Sequence, residues 1–78
     1  MSNTLKQDLS IGKNLRKLRK QAGYTQDQIA TKLQTAGYPI SREIVSQMEL
    51  GKYSIRVGVL VELKELYRVS YDDFFTDL

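Results

Sequence analysis

Apolar residues recur every three or four positions along most of the chain, which is the spacing of helices with one buried face. The pattern predicts helices over about 10–22, 25–36, 41–50 and 55–67, followed by a short one over 70–76. No segment alternates apolar and polar residues convincingly, so no strand is expected. We therefore expect an all-α fold, a compact bundle of five short helices.

Capping residues support these boundaries. Thr25 and Gln28 have the T-x-x-Q spacing of a capping box, and Ser70 and Asp73 resemble a second one. Serine also stands at the expected starts of the first and third helices. Glycine, which readily adopts the left-handed conformation that ends a helix, follows the first three helices as Gly23, Gly37 and Gly51.

The chain has 78 residues, enough for one domain, which we place at 10–78 after a polar tail at 1–9. It has no cysteine and no histidine, which removes disulfides, the commonest metal ligands and the commonest general base. We find no nucleophile–base pair, and we expect no metal, no cofactor and no enzymatic activity. No apolar run approaches the ~20 residues of a membrane helix, and no signal peptide is evident, so a cytoplasmic protein is expected.

Charge is unevenly distributed along the chain. The net charge is +3, but residues 1–56 carry +6 and residues 57–78 carry −3. A basic body with an acidic end would suit a polyanionic partner on one side. Ordinary solvated charge explains the composition equally well.

Two capped helices on either side of a short connection fit a helix-turn-helix, whose second helix enters the major groove of DNA. A plain helical hairpin would have the same layout. In the second of these helices Val45, Met48 and Glu49 share the inward side. The outward positions hold residue types that pair with DNA bases: Arg42, Glu43, Ser46 and Gln47. A solvent-exposed face would carry similar residues.

Two charged residues fall on the buried sides of their helices. Arg19 lies beside Leu15 and Leu18 in the first helix, and Glu49 lies inward in the third. An unpaired buried charge is very costly, so we predict an Arg19–Glu49 ion pair that joins the two helices. The opposite face of the first helix carries basic residues that either follow DNA phosphates or are simply solvated: Lys13, Arg16, Lys17 and Lys20.

The sequence resembles the Cro/C1-type (Xre) helix-turn-helix family of phage repressors and small bacterial regulators. The matching stretches are IGKNLRKLRKQAGYTQDQIATKL, SREIVSQMELGK and VLVELKELYRVSYDDFF, which together cover about residues 11–75. The resemblance implies a lambda-repressor-like fold and a sequence-specific DNA-binding regulator, of phage or plasmid repressor type. It also implies a homodimer on a near-palindromic double-stranded operator.

The resemblance assigns roles to individual positions. Arg42, Glu43, Ser46 and Gln47 match the base-reading positions of the family. Arg19 and Glu49 match its internal ion pair. The positions that usually meet the phosphate backbone are Thr25, Gln26, Ser41, Lys52, Tyr53 and Arg56.

The apolar residues near the C-terminal end are divided between two expected roles. Some should fill the core, and any that remain exposed would form a two-fold contact between protomers. They are Tyr67, Tyr71, Phe74, Phe75 and Leu78. The alternative function is an antitoxin or protein-interaction module of a small regulatory operon, which a large exposed apolar surface on the last two helices would favour.

The sequence departs from the family pattern at two places. After Ala30 the stretch TKLQTAGYPIS is about five residues longer than the usual tight turn. We expect the second helix to gain a turn and to be followed by a wider loop at Gly37–Ile40. Before the fourth helix, Tyr53, Ser54 and Ile55 replace the usual proline or small polar residues.

Overall fold

The computed structural model describes residues 4–5 and 9–78. In that part of the chain the elements follow the order β1, α1, α2, α3, β2, α4 and a C-terminal 3-10 helix. Their bounds are Thr4–Leu5, Gly12–Gln21, Gln26–Thr35, Arg42–Glu49, Ile55–Arg56, Val57–Tyr67 and Tyr71–Phe75. The two short strands pair antiparallel, with Thr4 opposite Arg56 and Leu5 opposite Ile55.

The predicted all-α helix-turn-helix architecture is confirmed, but the count of five helices was slightly wrong. The last element is a 3-10 helix, so the described residues contain four α-helices. The prediction of no strand was also wrong, and α4 begins at Val57, not at Ile55. Ile55 and Arg56 are extended because they pair with β1, which lies about fifty residues earlier and leaves no local signal.

The predicted tail at 1–9 lies largely outside the described residues. Residues 1–3 and 6–8 are outside the described residues, whereas Thr4 and Leu5 form β1. The division of the chain into a tail at 1–9 and a domain at 10–78 stays a prediction.

Hydrogen bonds at the helix ends match the capping residues. Thr25 Oγ1 accepts from the Gln28 backbone N–H at 3.1 Å, and Gln28 Oε1 accepts from the Thr25 N–H at 2.8 Å. Ser10 Oγ accepts from the Gly12 N–H at 3.0 Å, although Ile11 occupies the N-cap of α1. The glycines that follow α1, α2 and α3 all have positive φ, as expected.

Every described helix contributes to a single apolar core. Phe74 of the 3-10 helix is fully buried, and Asn14 of α1 holds this helix by donating to the carbonyls of Phe74 at 2.9 Å and Thr76 at 2.8 Å. Ala22 follows Leu15 and Leu18 at helical spacing, which predicts that it shares their buried side, but it is exposed. The principal core side chains are Leu15, Leu18, Ile29, Leu33, Ile40, Val45, Met48, Ile55, Val59, Leu63, Tyr67 and Phe74.

Candidate nucleic-acid interface

Helix α3 is capped at its start and packed along one side. Ser41 Oγ accepts from the Ile44 backbone N–H at 3.2 Å, which satisfies one of the free amides of the first turn. Val45 and Met48 are buried in the core, and Glu49 is buried beside them. The helix therefore has one face fixed to the domain and one face left open.

The Arg19–Glu49 ion pair predicted from the sequence is present and joins α1 to α3. Arg19 Nε lies 2.7 Å from Glu49 Oε2, and Arg19 Nη2 lies 3.0 Å from Glu49 Oε1. Arg19 Nη1 also donates to the Tyr24 carbonyl at 2.8 Å. Such a two-pronged contact fixes the relative orientation of the two side chains as well as their distance. Its hydrogen bonds to Glu49 raise the pKa of Arg19, against the opposing effect of burial.

Glu49 has a second partner that the sequence did not indicate. Gln26 Nε2, from the first residue of α2, donates to Glu49 Oε1 at 3.1 Å. The Glu49 carboxylate therefore connects the first three helices, α1, α2 and α3. The capping pattern that starts α2 at Thr25 places Gln26 here, but only the packing of α2 against α3 brings it to Glu49.

The four residues predicted to read bases lie on the open side of α3. Arg42, Glu43 and Gln47 are exposed, and Ser46 is half-buried. Together with Gln26 they line an open cavity of about 240 Å³. Their side chains therefore share one accessible surface, as a base-reading role requires.

The predicted phosphate contacts fall into two groups. Thr25 and Gln26 lie at the start of α2 and share a cavity of about 510 Å³ with Arg42 of α3. Arg16 and Arg19 line the same cavity. The sequence placed Arg16 in a basic face without assigning it to this site. Arg16 precedes Arg19 by three residues, close to one helical turn, and this spacing could have assigned Arg16 to the same site.

The second group lies beyond the other end of α3. Lys52, Tyr53 and Arg56 line a cavity of about 380 Å³ with apolar residues of the core. They do not share a cavity with Thr25 and Gln26. Ser41 lines neither of these two cavities, and its hydroxyl is the N-cap of α3. The structure therefore places cationic residues near both ends of an exposed polar helix.

No group of three or more His, Cys, Asp or Glu among residues 4–5 and 9–78 could hold a metal ion. No described helix is long and apolar enough to cross a membrane.

A family model for helix-turn-helix domains of the Cro/C1 type matches residues 15–74. The chain therefore belongs to the Cro/C1-type (Xre) helix-turn-helix family, and it is a DNA-binding regulator. The match runs from within α1 to within the 3-10 helix and so includes the elements that carry the surface described above. No curated protein sequence matches the chain significantly.

Proposed function

We propose that this protein is a sequence-specific transcriptional repressor of phage or plasmid type that reads the major groove of DNA with α3. The observation that carries the proposal is the two-sided character of this helix. Val45, Met48 and Glu49 hold it to the domain, while its exposed face presents residues capable of hydrogen bonding to bases.

The dimensions and chemistry of α3 support this reading. An α-helix with its side chains is about 10–12 Å across, which fits the major groove of B-DNA, about 12 Å wide. Arg42 has the geometry to bond guanine at two atoms, Gln47 can do the same with adenine, and Glu43 can accept from cytosine. Ser46, half-buried between them, is suited to a contact with either a base or a water molecule.

The two groups of predicted phosphate contacts, near the two ends of α3, suit the phosphate backbones that border the groove. The positive end of the α2 dipole and its free amides favour an anion beside Thr25 and Gln26. One amide hydrogen of Gln26 is directed to Glu49, which leaves the other for a phosphate oxygen. The Ser41 hydroxyl accepts a bond from Ile44 and can still donate one. Lys52, Tyr53 and Arg56 would meet the backbone beyond the other end of α3.

A cytoplasmic homodimer on a near-palindromic operator completes the proposal. Tyr67 and Phe74 are buried in the core, whereas Tyr71, Phe75 and Leu78 are each close to half exposed. These three exposed residues supply apolar area for a contact between two copies, and a two-fold contact matches the symmetry of a palindrome.

Selection from random-sequence duplex DNA, followed by a salt titration, tests the lead proposal. A repressor should enrich one short motif, and its affinity should fall steeply with salt as counterions are released from the phosphates. Enrichment of no motif would overturn the proposal. Analytical ultracentrifugation of the protein, alone and on the enriched site, tests the dimer, which is wrong if the stoichiometry is one copy per site.

A second candidate function is an antitoxin or other protein-interaction module. It is favoured by the exposure of Val57 and Val61, which stand one turn apart on α4, in addition to that of Tyr71 and Phe75. A Val61→Asp variant distinguishes the two functions once a motif is known. Unchanged DNA binding, combined with loss of a partner encoded in the same operon, would support the interaction module.

A further inference from the structure

The long connection between α2 and α3 is tied to the domain at several points. The Tyr38 N–H donates to the Leu33 carbonyl at 2.9 Å, and the Ile40 N–H donates to the Tyr38 carbonyl at 2.8 Å. Gln34 Nε2, still within α2, donates to the Ile40 carbonyl at 2.9 Å. Ile40 itself is buried in the core. The additional residues therefore form a defined loop with little freedom at its C-terminal end.

Tyr38 packs from this loop against the start of α4. Its side chain is half-buried, and its hydroxyl lies over Gly58, the second residue of α4. A Cβ atom built at position 58 would overlap the Tyr38 hydroxyl and lie 2.8 Å from its Cζ. Glycine is a poor helix former, so its presence in the first turn of α4 has a packing reason here. Only glycine leaves room for the tyrosine ring.

Two residues separate Tyr38 from Ser41, the N-cap of α3. The Ile40 N–H donates to the Tyr38 carbonyl and Ile40 adjoins Ser41, so a shift of the Tyr38 backbone is passed along this short stretch to the N-cap. The first turn of α3 carries Arg42 and Glu43, two of the exposed residues assigned to base reading. The contact between Tyr38 and Gly58 therefore affects the positions of the Arg42 and Glu43 side chains.

We propose that Tyr38, seated against Gly58, is a positioning residue that sets the N-terminal end of the recognition helix and thereby the base preference read by Arg42 and Glu43. This proposal rests on the proposed function in naming base preference as the outcome. Its geometric part, that the Tyr38–Gly58 contact sets the first turn of α3, stands without it.

The test uses the full chain with Gly58→Ala. The nearest atom met by the new methyl group is the far end of a side chain, so Tyr38 and the loop that carries it shift away and the fold survives. Alanine is also the better helix former, so we expect the thermal midpoint to stay within a few degrees of the parent. We expect the preference for the selected site over single-base variants, at the pairs read by Arg42 and Glu43, to fall roughly fivefold or more.

Four further variants isolate the tyrosine. Tyr38→Ala should reproduce the loss of preference, and adding Gly58→Ala to it should cause no further loss, because no ring remains to be displaced. Tyr38→Phe keeps the ring and should retain the preference, since the ring atoms still pack against Gly58. If Tyr38→Ala lowers stability strongly, Tyr38→Leu restores apolar packing and should still lose the preference.

Backbone amide chemical shifts provide a reading that does not depend on DNA. Gly58→Ala should move the resonances of residues 38–44 as well as those beside position 58. Shifts confined to α4, or base preference within twofold of the parent for both Gly58→Ala and Tyr38→Ala, would overturn the proposal. If the parent protein selects no motif, the proposed function fails, while the shifts at 38–44 still decide the positioning role.

Discussion

The two faces of α3 differ in what holds them in place. On the inner face Val45 and Met48 are 2% and 3% exposed, and Glu49 is bound by Arg19 and Gln26. On the outer face Arg42, Glu43 and Gln47 are exposed, and no ion pair is recorded for them within the described residues. One helix of eight residues thus combines a face that holds it to the domain with a face whose side chains are not needed for the fold.

This difference shows how a small domain separates folding from recognition. Substitutions on the inner face should change the free energy of unfolding and affect DNA binding only through the fold. Substitutions on the outer face should change which bases are preferred and leave the unfolding free energy nearly constant, since surface changes typically fall within about 0.5 kcal/mol. The following substitutions test that separation.

The largest expected effect is that of Glu49→Ala. It leaves the Arg19 guanidinium buried without its carboxylate, which typically costs about 3–5 kcal/mol. It also removes the acceptor of Gln26. Urea unfolding followed by circular dichroism measures the loss, and Glu43→Ala, an exposed glutamate in the same helix, is the matched control. Equal stability of the two variants would contradict the separation of the faces.

Gln47→Ala should act on recognition alone. We expect a loss of roughly 1–3 kcal/mol in discrimination at one base pair, with binding to unrelated DNA retained. Its free energy of unfolding should match that of the parent. Competition binding with single-base variants of the selected site measures the discrimination, and an equal loss on every sequence would argue against a base-reading role.

Tyr67 offers a pH test of the packing behind the inner face. Burial, reinforced by the negative charge of Glu49, raises the pKa of Tyr67 well above its ordinary value. The folded state therefore favours the neutral phenol, and this contribution is fully present below about pH 10, the ordinary tyrosine pKa. Above that pH the unfolded chain ionises first, and stability should fall by about 1.4 kcal/mol per pH unit.

Urea unfolding between pH 9 and pH 11 detects this loss. Other tyrosines and lysines titrate in the same range, so the comparison is between Tyr67→Phe and Tyr53→Phe. Only the first should flatten the alkaline loss, because Tyr53 is exposed. The same slope in both variants would show that Tyr67 does not carry it.

The smallest expected effect is that of Ser41→Ala, at the junction of the two faces. Loss of the N-cap bond to Ile44 should cost about 1 kcal/mol of stability. If the hydroxyl also donates to a phosphate, affinity should fall equally on all DNA sequences and the salt dependence should stay steep. Gln34→Ala, an exposed residue that holds the same loop, serves as the comparison for an effect on the loop alone.

The sequence predicted the local structure well because its signals are local. The capping box at Thr25 and Gln28, the cap at Ser41 and the glycines after three helices are patterns within a few residues, and the structure contains them. Helical spacing also separated Val45 and Met48 from the outward residues. It failed for Ala22, which stands at the end of α1, where no neighbouring element covers it.

Features that depend on distant residues were missed. The extended conformation of Ile55 and Arg56 comes from pairing with β1, and Asn14 finds its two carbonyl partners some sixty residues away. Gly58 is a poor helix former by its local propensity, and only the packing of Tyr38 above it accounts for its place in α4. The contact of Gln26 with Glu49 also joins residues that are distant in the sequence, and it was missed for the same reason.

The sequence by itself determined the family, the helices of the motif and the need for Arg19 to pair with Glu49. It could do so because periodicity, capping and the cost of a buried charge act on residues whose burial can be inferred from spacing. Only the tertiary structure decided how the long loop at Gly37–Ile40 is held and which cationic residues gather at each end of α3. These depend on how the helices pack, and packing joins residues that no sequence interval relates.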